Sequence, residues 1–220
     1  MSSPVLDGPR LAPLNGGAPR QLIVLLHGYG ADGNDLIDLG RAWQQQFPDA
    51  AFVAPNAPES TPHGMGYQWF PLTKIDPGEN EAGTQAAGPA LEAFLDAELA
   101  AQKLGPEKLV LLGFSQGAMM ALHVGMRRKV PPVAILSYSG LLAGQIPQPS
   151  PSGLYPPVFI SHGDSDGVVP PQMMFMAVGA LQQVGAWVDW HLARNIAHGI
   201  DPESLDLGAK FLQAALAPKA

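Results

Sequence analysis

Apolar residues in this chain come in short unbroken runs separated by longer amphipathic stretches. Leu22-Ile23-Val24-Leu25-Leu26, Leu109-Val110-Leu111-Leu112, Val133-Ala134-Ile135-Leu136 and Val158-Phe159-Ile160 contain no polar residue. A strand exposed on one face alternates apolar with polar side chains. Runs without alternation are covered on both faces, as in a parallel sheet flanked by helices. Ala51-Phe52-Val53-Ala54 adds another such run, whereas Val188-Asp189-Trp190-His191-Leu192 alternates and predicts a strand nearer an edge. Helical spacing fills the intervals. It covers 35–47, 82–104 (with Ala87, Leu91, Phe94, Leu95 and Leu99 near one face) and 116–128, which is apolar nearly all round. Two more helices are predicted over 172–184, behind Pro170-Pro171, and 202–216, behind Asp201. The basic tail Arg127-Arg128-Lys129 complements the negative end of the 116–128 helix. Strand–helix alternation from end to end predicts one α/β domain over 1–220, with the Pro-rich stretch 146–157 as a surface loop.

Composition narrows the classes of function. Hydrophobic residues make up 46% and charged residues 14% of the 220, which suits heavily buried strands. A net charge of −7 repels nucleic acid and anionic membranes, so neither is expected as a partner. Cysteine is absent, which removes disulfides, thiol nucleophiles and thiolate metal sites. Met1-Ser2-Ser3-Pro4-Val5-Leu6-Asp7 lacks a basic segment followed by an apolar one. No run approaches the roughly 18 apolar residues of a membrane span. A soluble, cytoplasmic protein without membrane insertion is the expectation.

The chemistry-bearing residues sit at predicted strand ends. Gly113-Phe114-Ser115-Gln116-Gly117 lies between an apolar run and a helical one. Gly-x-Ser-x-Gly at such a corner is the form of a nucleophile elbow, a turn so tight that the serine stands proud of the sheet and its neighbours must be small. Its bland reading is a Gly-rich strand-to-helix turn. A serine hydroxyl needs a base, and the base needs a partner that fixes its tautomer. Downstream, the run at 158–160 leads into His162-Gly163-Asp164-Ser165-Asp166-Gly167-Val168-Val169-Pro170, and the alternating strand into Arg194-Asn195-Ile196-Ala197-His198-Gly199. Acid and histidine thus follow serine in the order used by α/β-hydrolases. Spacing alone leaves Asp164 and Asp166 equal as the acid. His198 lies on a loop, whereas His191 and His123 lie inside elements. His162 and His27 precede glycines at strand ends, which suits bonding to neighbouring loops, and His63 is unassigned. The six histidines show no metal-ligand spacing, so no metal is expected. Two backbone amides are needed for the oxyanion: Gln116, after the nucleophile, and Tyr29, in His27-Gly28-Tyr29-Gly30 after the first strand. The same segment spells Gly28-x-Gly30-x-x-Gly33, the fingerprint of a dinucleotide-binding turn, which is the rival from another class. That fingerprint wants an acid about 20 positions on, and the next run ends without one until Glu59.

Together these segments resemble the carboxylesterase/phospholipase family of α/β-hydrolases, which includes bacterial carboxylesterases, lysophospholipases and acyl-protein thioesterases. The stretch 26–35 resembles its oxyanion loop, 113–118 its elbow, 162–170 its acid loop and 197–200 its histidine loop. The resemblance implies an α/β-hydrolase fold with a mostly parallel sheet and no cap, and it favours Asp166 over Asp164. It implies Ser115, His198 and Asp166 as catalytic residues, Tyr29 and Gln116 as oxyanion donors, and no cofactor. Many relatives carry Leu where this chain has Tyr29, a departure that touches acyl-site shape rather than a backbone donor. Gly66-Tyr67-Gln68-Trp69-Phe70 resembles the family's aromatic loop beside the substrate, which makes Trp69 and Phe70 candidate substrate-binding residues; a loop tucked over the core by its aromatics is the equal alternative. The interval from Ser115 to Asp166 must hold a helix, a strand and loops, which leaves no room for a helical cap. Short to medium acyl esters are therefore the expected substrates, with thioesters and lysophospholipids as alternatives. Met173, Met174, Phe175 and Met176 offer either pocket lining or core packing. Some relatives pair, so a second copy of this chain is the protein partner the resemblance raises.

Overall fold

In the computed structural model, which describes residues 6–62, 64–73 and 76–217, seven strands form one sheet. In chain order they are β1 (Arg10–Leu11), β2 (Gln21–Leu26), β3 (Ala50–Val53), β6 (Leu109–Phe114), β7 (Ala134–Tyr138), β8 (Val158–Gly163) and β9 (Val188–Ala193). A separate hairpin pairs β4 (Glu59–Ser60) with β5 (Tyr67–Gln68). The sheet order is β1-β3-β2-β6-β7-β8-β9; β1 runs antiparallel to β3, and every other pairing is parallel. The helices are α1 (Gly33–Trp43), α2 (Pro77–Ala101), α3 (Gln116–Gly125), α4 (Gln172–Gln183) and α5 (Pro202–Leu216). This is the α/β-hydrolase fold, and no helix among the described residues is left over to build a cap.

The unbroken apolar runs have the reason their pattern implies. On β2, Leu22, Val24 and Leu26 enter one core with α2, α3 and α4, while Ile23 and Leu25 enter a second core with α1 and α5. On β6, Leu109 and Leu111 face the first core and Val110 and Leu112 the second. Strand β9 lies at the sheet edge, as its alternation predicts, but it exposes Trp190 as well as Asp189, so both of its faces are partly open.

Three differences from the sequence reading have local causes. Helix α2 begins at Pro77 rather than 82, because Asp76 caps the Gly78 and Glu79 amides and proline fits a first turn. The β4–β5 hairpin has no counterpart among the predicted strands, because two-residue strands are too short to show a period. Helix α3 stops at Gly125. Arg127 donates to the His123 carbonyl at 2.9 Å, as a basic helix end should, but Arg128 turns aside to pair with Glu92 and Asp96 of α2. His63 lies outside the described residues.

Candidate active site

The strand order reverses between β2, whose next strand lies to one side, and β6, whose next strand lies to the other. In open α/β sheets the crevice at the carboxyl ends of such strands is where ligands bind. Ser115 follows β6 there with φ of 54° and ψ of −118°, left-handed backbone that a non-glycine residue adopts only under constraint. The glycines two places either side permit this corner. A Cβ on Gly117 would collide with the Leu26 carbonyl, and one on Gly113 with the backbone of Gly117. The strand ladder also continues past the strand ends: Ser115 N–H donates to Tyr138 O, Ser139 N–H to Ser161 O and Asp164 N–H to Ala193 O, each at 2.9 Å. Each loop is thereby held in register with its neighbour.

This registration brings three distant side chains into line. His198 Nε2 lies 2.9 Å from Ser115 Oγ, and His198 Nδ1 lies 2.8 Å from Asp166 Oδ2. An ionised carboxylate only accepts, so Nδ1 carries the proton and the Nε2 lone pair accepts from the Ser115 hydroxyl. The Phe114 ring packs 5.0 Å from the His198 ring, centroid to centroid. Asp166 Oδ1 accepts from the amides of Val168 at 2.8 Å and Val169 at 2.9 Å. Burial alone would push the Asp166 carboxyl up, but the bonds from His198, Val169 and Val168 outweigh it and hold the group below the ordinary carboxylate range.

The residues around this line serve its posture. Asp164 faces solvent and accepts from the Asn195 amide at 2.8 Å, anchoring the base of the His198 loop where Asn195 sits at φ of 57°. Ser139, also left-handed at φ of 50°, donates through Oγ to Gly199 O at 3.1 Å. His162 is buried with its Nε2 2.9 Å from Val169 O and 3.1 Å from Asp166 Oδ2. His27 accepts from Ala57 N–H through Nε2 at 2.9 Å and bonds the Gly28 carbonyl through Nδ1 at 2.7 Å, bracing the first-strand loop. Burial pushes the His27 imidazole down, so it is neutral. Both terminal histidines thus bond loops, as their positions before glycines suggested. The support from Ser139 left no trace in the spacing, because its partner Gly199 lies far along the chain.

Two helix starts meet this region and differ. At α1 the first amides are taken: Gly33 N–H donates to Asn56 Oδ1 at 2.8 Å, and Asn34 and Asp35 donate to Asp32 Oδ1. A carboxylate therefore occupies the place a pyrophosphate would need, and the Gly28-x-Gly30-x-x-Gly33 segment is not a dinucleotide turn. At α3 no side chain caps the helix. Among the described residues, neither the Gln116 nor the Tyr29 amide has an acceptor, so both are free to bind an anion.

Trp69 and Phe70 are 1% and 2% exposed, and both belong to the core beneath the site. Their rings are used up in packing and present no wall to a substrate; the aromatic segment is tucked in. Met174 is likewise buried. Met173 and Met176 instead line an apolar groove of about 350 Å³ with Leu141, Leu142, Ala177 and Ala180. His191, Asp201 and Glu203 bring ligand atoms within 4.8 Å of one another, a grouping hidden by their spread over β9 and the start of α5.

A sequence model described as Phospholipase/Carboxylesterase matches residues 15–216. The chain belongs to the phospholipase/carboxylesterase family. Among solved structures, that of esterase PE8 is 41% identical with a TM-score of 0.88, covering 96% of this chain and 100% of that one. Acyl-protein thioesterase 1 of Saccharomyces cerevisiae is 30% identical over 213 residues, 90% of this chain and 93% of that protein. Esterase YpfH of Escherichia coli is 26% identical over 197 residues, 88% of this chain and 82% of its own. Membership of this family makes the protein a carboxylic ester hydrolase of the serine hydrolase type. No described helix is long and apolar enough to cross a membrane.

Proposed function

We propose that this family member is a cofactor-independent serine carboxylesterase acting on short to medium acyl esters. The observation that carries the reading is the continuous hydrogen-bonded line Ser115–His198–Asp166 beside two unoccupied amides. Ser115 Oγ attacks the acyl carbonyl while His198 Nε2 takes its proton. The imidazolium formed is held by Asp166, and the Tyr29 and Gln116 amides receive the negative charge on the carbonyl oxygen. His198 then returns the proton to the departing alcohol. Water, deprotonated by the same nitrogen, releases the acid from the acyl-serine and restores the hydroxyl.

The acyl chain is assigned to the groove between the loop after β7 and α4. Its wall starts at Leu141, next to Gly140, where a Cβ would stand 3.2 Å from the Ser115 carbonyl. Its other side, from Met173, follows directly on the Asp166 loop. At about 30 Å³ per water-sized group, 350 Å³ takes roughly a dozen heavy atoms, which favours chains well short of those in storage lipids. Replacement Ser115→Ala is expected to lower kcat by about 10⁴ or more and to abolish labelling by a fluorophosphonate, with the thermal midpoint unchanged. Turnover of an activated ester at the wild-type rate by pure Ser115→Ala protein overturns the reading.

A second reading keeps the machinery and changes the leaving group. Several curated relatives are named acyl-protein thioesterase 1, including those of Gibberella zeae and Saccharomyces cerevisiae, which favours a thioester substrate. An oxyester, a thioester and a lysophospholipid of matched acyl length, assayed side by side, decide between the two.

A further inference from the structure

The proposed chemistry asks two amides on different loops to converge on one oxygen. Tyr29 follows β2 and Gln116 follows β6, and the pairing of these strands ends at Leu26 and Gly113. Beyond that point, among the described residues, no hydrogen bond joins 27–31 directly to 114–117. Gly28 and Gly117 let the two loops pack directly against each other, and their hydrogen-bonded connection runs through the buried aromatic segment. On the elbow side, Gln116 Oε1 accepts from the Trp69 amide at 2.9 Å and Gln116 Nε2 donates to the Phe70 carbonyl at 2.8 Å. On the other side, the Trp69 indole N–H donates to the His27 carbonyl at 2.9 Å. The Gly30 amide donates to Tyr67 O at 2.9 Å, and the Tyr67 amide to Ala31 O at 2.8 Å. Trp69 and the Gln116 side chain lie out of water, with Gln116 at 0% exposure.

We infer that the Gln116 side chain and Trp69 are positioning residues that fix the spacing and aim of the two oxyanion amides. This rests on the serine esterase reading above. Neither group has to touch substrate. Each acts by stopping one loop from drifting against the other, through three buried side-chain bonds that water does not contest. Donors to a developing oxyanion work only within a narrow range, about 2.7–3.1 Å. Misplacement by about 1 Å costs about 100-fold. The brace also accounts for aromatics that are buried beneath a site they do not line.

The test uses Gln116→Leu, which keeps the backbone amide and loses both side-chain bonds, and Trp69→Phe, which removes the indole donor and keeps a ring. At temperatures where each is folded by near-ultraviolet dichroism, kcat on an activated acyl ester should fall about 10- to 100-fold with KM little changed. Inhibition by a trifluoromethyl ketone, whose adduct places an oxyanion between the two amides, should weaken by the same factor. The double variant should lose little beyond the worse single, because both changes cut one brace. A lowered melting midpoint with kcat and ketone affinity retained would reduce both residues to packing and overturn the inference. Should Gln116→Leu not fold, Trp69→Phe decides alone by the same comparison. Ser115→Ala, run alongside, separates the failures. If it is dead while the brace variants are normal, only the brace is lost; if it is active, the esterase reading goes as well.

Discussion

At the scale of single residues, two carboxylates on one loop have divided the work. Asp166 turns inward, where two amides and the His198 imidazole surround it, while Asp164 stays in solvent and ties down Asn195. Asp166→Asn supplies an amide where the imidazole needs an acceptor and so favours the wrong tautomer; kcat should fall by about 10⁴. Asp164→Asn keeps an oxygen for the Asn195 amide and should cost less than about tenfold. Steady-state kinetics on one ester measures both, and the opposite order would make Asp164 the acid. Spacing could not separate the two, because each stands next to a glycine in a turn-forming loop. Family resemblance pointed to Asp166, and the bonds from the Val168 and Val169 amides turn that carboxylate inward toward His198. Ser139 was illegible as a support, since its partner, Gly199, becomes a neighbour only once the sheet is assembled.

At the scale of elements, strands covered on both faces announced themselves, and so did the edge strand. What escaped notice was short or governed by caps: the two-residue β1, the β4–β5 hairpin and the first turn of α2. The two readings of residues 67–70, substrate wall or tucked-in loop, could not be separated for a related reason. Apolar aromatics beside a polar loop fit a pocket wall and a buried strut equally well until the Gln116 carboxamide is seen gripping the backbone. The groove between α4 and the loop after β7 belongs to this scale as well. A phenylalanine at Ala180 would fill part of it from the helix side. In a p-nitrophenyl ester series, Ala180→Phe should leave acetate turnover nearly unchanged and lower kcat/KM for octanoate about tenfold. An unaltered chain-length profile would place the acyl chain elsewhere.

For the molecule as a whole, buried histidines tie stability to pH. Burial, reinforced by the charge of Arg127, lowers His123 on α3 to about 4, and burial lowers His27 as well. In the unfolded chain both titrate near about 6.5. Between these limits the unfolded state binds more protons, so this stability is complete above about 6.5 and drains away as pH falls toward about 4. The depressed carboxylates Asp166 and Asp201, where hydrogen bonds outweigh burial, add stability that is lost only at still lower pH. Thermal melts from pH 8 to 4.5 should show a flat midpoint and then a decline, and His123→Leu should make the decline shallower; an identical decline would move its source to other groups. The outermost strand has a different bearing on the molecule. β9 is paired on one flank only, yet it carries the loop that holds His198. Edge segments open locally at less cost than central ones. Under mild denaturation the imidazole can therefore swing out of line while the other six strands stay assembled. Inactivation is then an early and reversible event, separate from collapse of the core.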